Sequence, residues 1–133
     1  MASLGELMKG AIVAVAPEDT LGEAAERMAE EDVGSAVVLD SGRLIGILTE
    51  RDLLMAVAGR VHTSEARVRE WMTGDPITAG EATSAEEAMR TMLEQGFRHL
   101  PVVEGGRTVG VVSLRELMKA AMQVDVRADA PAD

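Results

Sequence analysis

Cysteine and tyrosine are missing from this 133-residue chain, which has one Trp, one Phe and two His. Without Cys there is no disulfide framework, thiolate nucleophile or Cys-based zinc site, and His62 and His99 alone cannot build a structural metal cage. Near the N-terminus the longest apolar stretch is Ala11 to Ala16. That is too short for a bilayer span, and it lacks the cationic flank of a signal peptide. The expected location is the cytoplasm, with no membrane contact. Positive charge is also scarce: 13 basic against 23 acidic side chains leave a net −10, spread as −6 over residues 1–64 and −4 over 65–133. Such a surface repels polyanions, so nucleic acid is not an expected partner. What is plentiful is aliphatic material. At 47% hydrophobic, a chain of this length can hide roughly two thirds of its unfolded surface as one ordinary domain or two very small ones.

The chain is a tandem duplication. At an offset of 64, Met8, Gly10, Glu23, Ala24, Met28, Glu30, Val38, Gly42, Arg43, Gly46, Arg51, Leu53 and Ala56 meet identical residues, Met72 through Ala120. No gap is needed, and Thr20 and Thr49 meet Ser84 and Ser113.

Each copy reads as short strand, helix, strand, turn, strand, helix. In the first, Ile12 to Val15 is apolar, and Thr20-Leu-Gly-Glu23 has the form of a capping box that starts a helix. Leu21, Ala24, Ala25 and Met28 then form one apolar stripe, mirrored by Ala88, Met89 and Met92. Two hairpins follow the same plan: 36–39 with 44–48, and 100–103 with 108–112. Their near-continuous apolarity implies that both sheet faces are covered, a task the flanking helices can perform. The last helix of each copy begins at Thr49-Glu-Arg-Asp52 or Ser113-Leu-Arg-Glu116, again capping boxes in form. Thr63 to Met72 reads as a connecting helix, with Leu4 to Met8 its partner before the first copy. The expected division is therefore 1–64 for the first repeat with its N-terminal helix and linker, 65–123 for the second, and a disordered tail at 124–133. The methionines on helical stripes read as core filler, and Trp71 as a packing or dimer residue.

GILTERDLL at Gly46 to Leu54 and GVVSLRELM at Gly110 to Met118 resemble the Gly-x-x-Thr/Ser-x-x-Asp signature of CBS domains, and Phe97 to Ser113 is similar to that family's central hairpin. The resemblance covers about residues 5–122 and identifies the chain as similar to a stand-alone CBS pair, or Bateman module. It implies an α/β fold of two βαββα repeats, each with a three-stranded sheet core, packed about a pseudo-twofold axis. It also implies two clefts for adenosine-containing ligands such as AMP, ADP or ATP, bound as regulatory ligands with no cofactor required, and assembly as a homodimer. In the family, the Thr/Ser of the signature meets phosphate and the Asp meets ribose. Carried onto this sequence, ligand contacts are implied for Thr49, Arg51, Asp52, Ile12, Ser35, Ala36, Ile77, Arg98, His99, Pro101, Ser113, Arg115 and Glu116.

Elementary chemistry stands beside that analogy. Thr49 and Ser113 sit where a strand enters a helix N-terminus, so a hydroxyl and free amides face one point, a natural place for phosphate. Asp52 offers two acceptor oxygens for vicinal ribose hydroxyls. Arg98 can fork onto phosphate, and His99 adds a charge that depends on pH; the first copy has Gly34 and Ser35 there instead. The same residues also read as plain helix caps and surface ion pairs. Glu116 departs from the Asp of the signature. Its extra methylene moves the carboxylate by roughly 1.5 Å, suiting it to capping rather than to ribose, so the two clefts are expected to be unequal.

Three classes of function remain. No nucleophile with its base, metal cluster or P-loop is recognisable, so an enzyme is not expected. The expected function is a regulatory adenosine-nucleotide sensor acting on an unidentified partner protein, and the alternative is a ligand-free dimerisation or interaction scaffold. A four-helix dimer face is expected to bury Leu53, Leu54, Val57, Leu117, Met118 and Ala121.

Overall fold

The computed structural model describes residues 2–8 and 12–129. The elements follow in the order α1 (Leu4–Leu7), β1 (Ala14–Val15), α2 (Leu21–Glu30), β2 (Ser35–Asp40), β3 (Arg43–Thr49), α3 (Glu50–Ala58), α4 (Val68–Trp71), β4 (Thr73–Gly74), α5 (Ala85–Gln95), β5 (His99–Glu104), β6 (Arg107–Ser113) and α6 (Leu114–Asp129). The α/β repeat plan is present.

Helix α2 starts as its sequence dictates. The Glu23 amide donates to Thr20 Oγ1 at 3.1 Å, and the Thr20 amide donates back to Glu23 Oε1, closing the capping box. Leu21, Ala24 and Met28 are buried along one stripe. In α5 the Ser84 hydroxyl accepts from the Glu87 amide, and Ala85, Ala88 and Met92 are buried.

Two cores result. The first joins Val15, Leu21, Ala24, Met28, Ala36, Val38, Leu48 and Val68, and the second joins Leu4, Ala88, Met92, Leu100, Val102, Val112 and Leu117. Strand alternation turns Val37 and Pro101 to the opposite faces of β2 and β5, yet both are fully buried. Helices therefore cover only one face of each hairpin. On the other side the repeats meet, with β3 touching β6.

Strand number is unequal between the repeats. The first sheet has four strands in the order β1-β2-β3-β4, with β1 parallel to β2 and the rest antiparallel. The second is the β5–β6 hairpin, extended by one parallel bridge between Ala79 and Val102. The expected three strands become four in the first repeat because the chain after α4 lies across Gly46, pairing Gly74 with Gly46 and Thr73 with Ile47.

The short helices pack across the sequence boundary. Leu4 of α1 is buried in the second core, where its amide donates to Thr83 O and the Ala85 amide donates to Ala2 O. Val68 of α4 belongs to the first core, and there the Leu21 amide donates to Ala66 O. At an offset of 64 the bonds Leu21–Ala66 and Ala85–Ala2 are equivalent. The packing units thus pair the leader with the second repeat and the connector with the first. The connector is helical only over Val68–Trp71, not from Thr63, because the carbonyls of Thr63 and Ala66 receive the first amides of α2. Trp71 is half-buried against the first core. Helix α6 extends to Asp129, past the boundary at residue 123, while 130–133 of the expected tail lie outside the described residues.

Candidate functional site

Thr49 ends β3 and serves as N-cap of α3, with an extended backbone (φ −118°, ψ 164°). The capping box closes fully here. The Thr49 amide donates to Asp52 Oδ2 at 2.8 Å, the Thr49 hydroxyl to the same oxygen at 3.1 Å, and the Asp52 amide to Thr49 Oγ1 at 3.3 Å. Asp52 Oδ1 makes no hydrogen bond among the described residues. In the second repeat the Ser113 hydroxyl donates to Glu116 Oε1 at 2.9 Å, and the Glu116 amide donates to Ser113 Oγ. The Ser113 amide has no such bond to Glu116. The shorter carboxylate therefore makes the more complete cap, contrary to the expectation that Glu116 would be the better one. A side chain three residues along the first turn reaches back to the amide without the extra methylene.

A cleft of about 910 Å³ opens between the repeats, within the size range of small-molecule sites. The first repeat and its connector line it with Ile47, Thr49, Glu50, Arg51, Asp52, Leu54, Thr73 and Asp75. From the other side come Pro76, Ile77 and the run Gln95 to His99. Of the expected ligand residues, Thr49, Arg51, Asp52, Ile77, Arg98 and His99 are brought together. Arg98 and His99 do reach across to the first repeat's signature, because the last residues of α5 and the start of β5 stand opposite the N-terminus of α3. Within each repeat an equivalent bond ties the start of the last helix to the residue just before the hairpin, with the Glu50 amide donating to Gly34 O and the Leu114 amide to Arg98 O.

The other expected residues do not line this cleft. Ser113, Arg115 and Glu116 sit at the corresponding turn of the second repeat, and Ile12 lies before β1. Ser35 is nearly buried, while Ala36 and Pro101 are fully buried. The side chains of Ala36 and Pro101 are covered by protein, so any ligand contact at these positions falls to the backbone. Sequence reasoning missed Glu50, Asp75 and Phe97. Glu50 occupies an x position of the Gly-x-x-Thr/Ser-x-x-Asp signature, which carries no residue preference to single it out. Asp75 precedes Pro76, with its backbone in the left-handed region (φ +46°) and its amide donating to Ile45 O. Phe97 also packs on the second core.

Electrostatics at the seam centre on His99. Burial pushes its pKa below the ordinary 6.5; Glu50 and Glu116 pull it upward, and Arg98 adds to the depression. The imidazole is therefore neutral at pH 7, leaving Arg51 and Arg98 as the cationic lining groups against Glu50, Asp52 and Asp75. Among the described residues no group of three His, Asp or Glu could hold a metal ion, and no helix is long and apolar enough to cross a membrane.

Comparison with known proteins places this geometry. The family model described as CBS domain matches residues 4–59 and again 68–123. An uncharacterised 17.7 kDa protein of Acidianus ambivalens is 40% identical over 115 residues, covering 85% of this chain and 69% of that protein. The CBS domain-containing protein YhcV of Bacillus subtilis is 31% identical, with 88% of this chain and 84% of that one covered. A CBS domain protein of Pyrobaculum aerophilum, solved in complex with AMP, superposes with a TM-score of 0.83 at 29% identity, covering 95% of this chain and 98% of its own. The chain spans 69%, 61% and 41% of the first three curated relatives it matches.

Proposed function

Because the chain belongs to the CBS domain family and carries two copies of the domain, we propose that it is a regulatory sensor of adenosine nucleotides. It binds an AMP-, ADP- or ATP-type ligand between its repeats, catalyses nothing, and passes the signal by conformational change or assembly to a partner protein in the cytoplasm. The observation that carries this reading is the inter-repeat cleft. One wall holds Thr49, the free Oδ1 of Asp52 and the N-terminus of α3, and the other holds Ile77, Phe97 and Arg98. Such a site supplies an acceptor for ribose hydroxyls, guanidiniums and a positive helix end for phosphate, and an apolar flank for a base. The AMP complex of the Pyrobaculum relative supports the ligand class. A thermal-shift panel of AMP, ADP, ATP and adenosine tests it, since a ligand at a hundred times its dissociation constant adds about 2.7 kcal/mol. A rise in Tm with AMP and none with guanosine or cytidine nucleotides is expected.

A second reading, a dimerisation or interaction scaffold, draws on the apolar residues left outside both cores. Leu54, Met55 and Val57 on α3 and Met118 and Met122 on α6 are all more than half exposed. The two readings are compatible if the cleft is filled, and the scaffold stands alone if no nucleotide moves Tm.

A further inference from the structure

We propose that Glu50 sets the phosphate count of the ligand, so that the Thr49–Asp52 cleft favours an adenosine monophosphate over the di- and triphosphate. The inference rests on the adenosine-binding reading above and deepens it. Glu50 opens α3 one residue after Thr49, and its carboxylate points back over the seam. Oε1 stands 3.0 Å from where a Cβ on Gly34 would lie, and His99 Cε1 stands 3.1 Å from that same point. Carboxylate and imidazole are therefore neighbours within about 6 Å, close enough for a direct electrostatic effect. This is the end of the cleft where the N-terminus of α3 and Arg98 converge, the end that suits phosphate.

Among the described residues no ion pair cancels the charge of Glu50, since the pairs there are Arg69–Glu18 and Arg90–Glu86. With His99 neutral and Asp52 committed to the ribose, Arg51 and Arg98 face Glu50 and Asp75. One phosphate dianion can be met by the two guanidiniums at the positive end of α3. Each further phosphate adds negative charge that no remaining cation lining the cleft among the described residues can meet, and Glu50 repels it. The second repeat has Leu114 at the matching position, half-buried against its own core, so this restriction belongs to one cleft only.

Titration calorimetry without divalent cations, using AMP, ADP and ATP against the parent, Glu50→Gln and Glu50→Leu, tests the assignment. The parent is expected to bind AMP about tenfold more tightly than ATP, and both variants to bring the two affinities close to equal, chiefly by tightening ATP. Raising salt to 1 M, where the Debye length is about 3 Å, should narrow the parent's ratio in the same direction. Equal affinities in the parent, or a ratio the variants leave unchanged, overturn the role of Glu50 while AMP binding itself keeps the sensor reading intact. Failure of every nucleotide to bind any of the three proteins overturns both.

Discussion

In the proposed function Asp52 has two roles, helix cap and ribose acceptor. Its Oδ2 closes the cap of α3 and its Oδ1 remains available to the cleft. Asp52→Ala should therefore lose about 1 kcal/mol of stability from the cap and, separately, the charge-assisted bonds to ribose, a tenfold to hundredfold loss of affinity. Glu116→Ala, which breaks a less complete cap, should cost less in a denaturant titration and leave nucleotide binding in the Asp52 cleft intact. His99 makes the protein sensitive to acid. Burial holds its folded-state pKa below the unfolded value of about 6.5, so the unfolded chain binds the proton first. Stability from this group is complete above pH 6.5 and declines as pH falls from there to the lowered folded pKa. Glu50 and Glu116 soften the effect and Arg98 strengthens it. Chemical denaturation at pH 7.5 and 6.0 should show a smaller drop for His99→Gln than for the parent.

At the scale of elements, the repeat offers matched experiments in one molecule. Helix α5 is capped by Gly96 in the left-handed region (φ +81°), and at the equivalent position, two residues after the end of α2 at Glu30, Asp32 has φ +53°. Gly96→Ala should cost about 1 kcal/mol and Asp32→Gly should recover a similar amount, the first strained and the second relieved by the same backbone geometry. Gly46 and Gly110 mark the places where each linker crosses a hairpin. A Cβ at Gly46 would meet Met72 Sδ and, at 3.0 Å, the Thr73 carbonyl, and at Gly110 its nearest neighbours among the described residues would be atoms of the Met8 side chain. Gly46→Ala should cost about 1–3 kcal/mol in urea melts, because the Thr73 backbone carbonyl cannot swing aside as a methionine can. Element order was legible in the sequence because capping boxes and apolar stripes are local and repeat at a fixed offset. The linker exchange was not, since Leu4 and Val68 fit either core by composition, and only chain geometry selects one. For the same reason the signature residues were legible, while the wall formed by Asp75 and Phe97 depends on how the repeats face each other.

At the scale of the whole molecule, apolar side chains of α3 and α6 stay uncovered. Of the residues expected in a dimer face, Leu117 is fully buried in the second core and Leu53 packs on the first, so neither is free to meet a partner. Leu54 (66% exposed), Val57 (62%) and Met122 (64%) are free, with Met55 and Met118 beside them. A surface of this kind on two copies supports the proposed homodimer, with a light-scattering mass twice the 14.1 kDa of one chain, and Leu54→Glu with Met118→Glu should return it to monomer. Duplex DNA, facing a net −10, should not be retarded by either form at physiological salt in a gel-shift assay.

The central claim is that a cleft built from both repeats holds an adenosine nucleotide through Asp52. Titration calorimetry of AMP into the parent and into Asp52→Ala, each shown to be folded by circular dichroism, tests it most directly. Saturable binding by the parent that weakens at least tenfold in the variant is the predicted result. Binding that survives Asp52→Ala unchanged, or a folded parent that takes up no AMP, ADP or ATP, contradicts it.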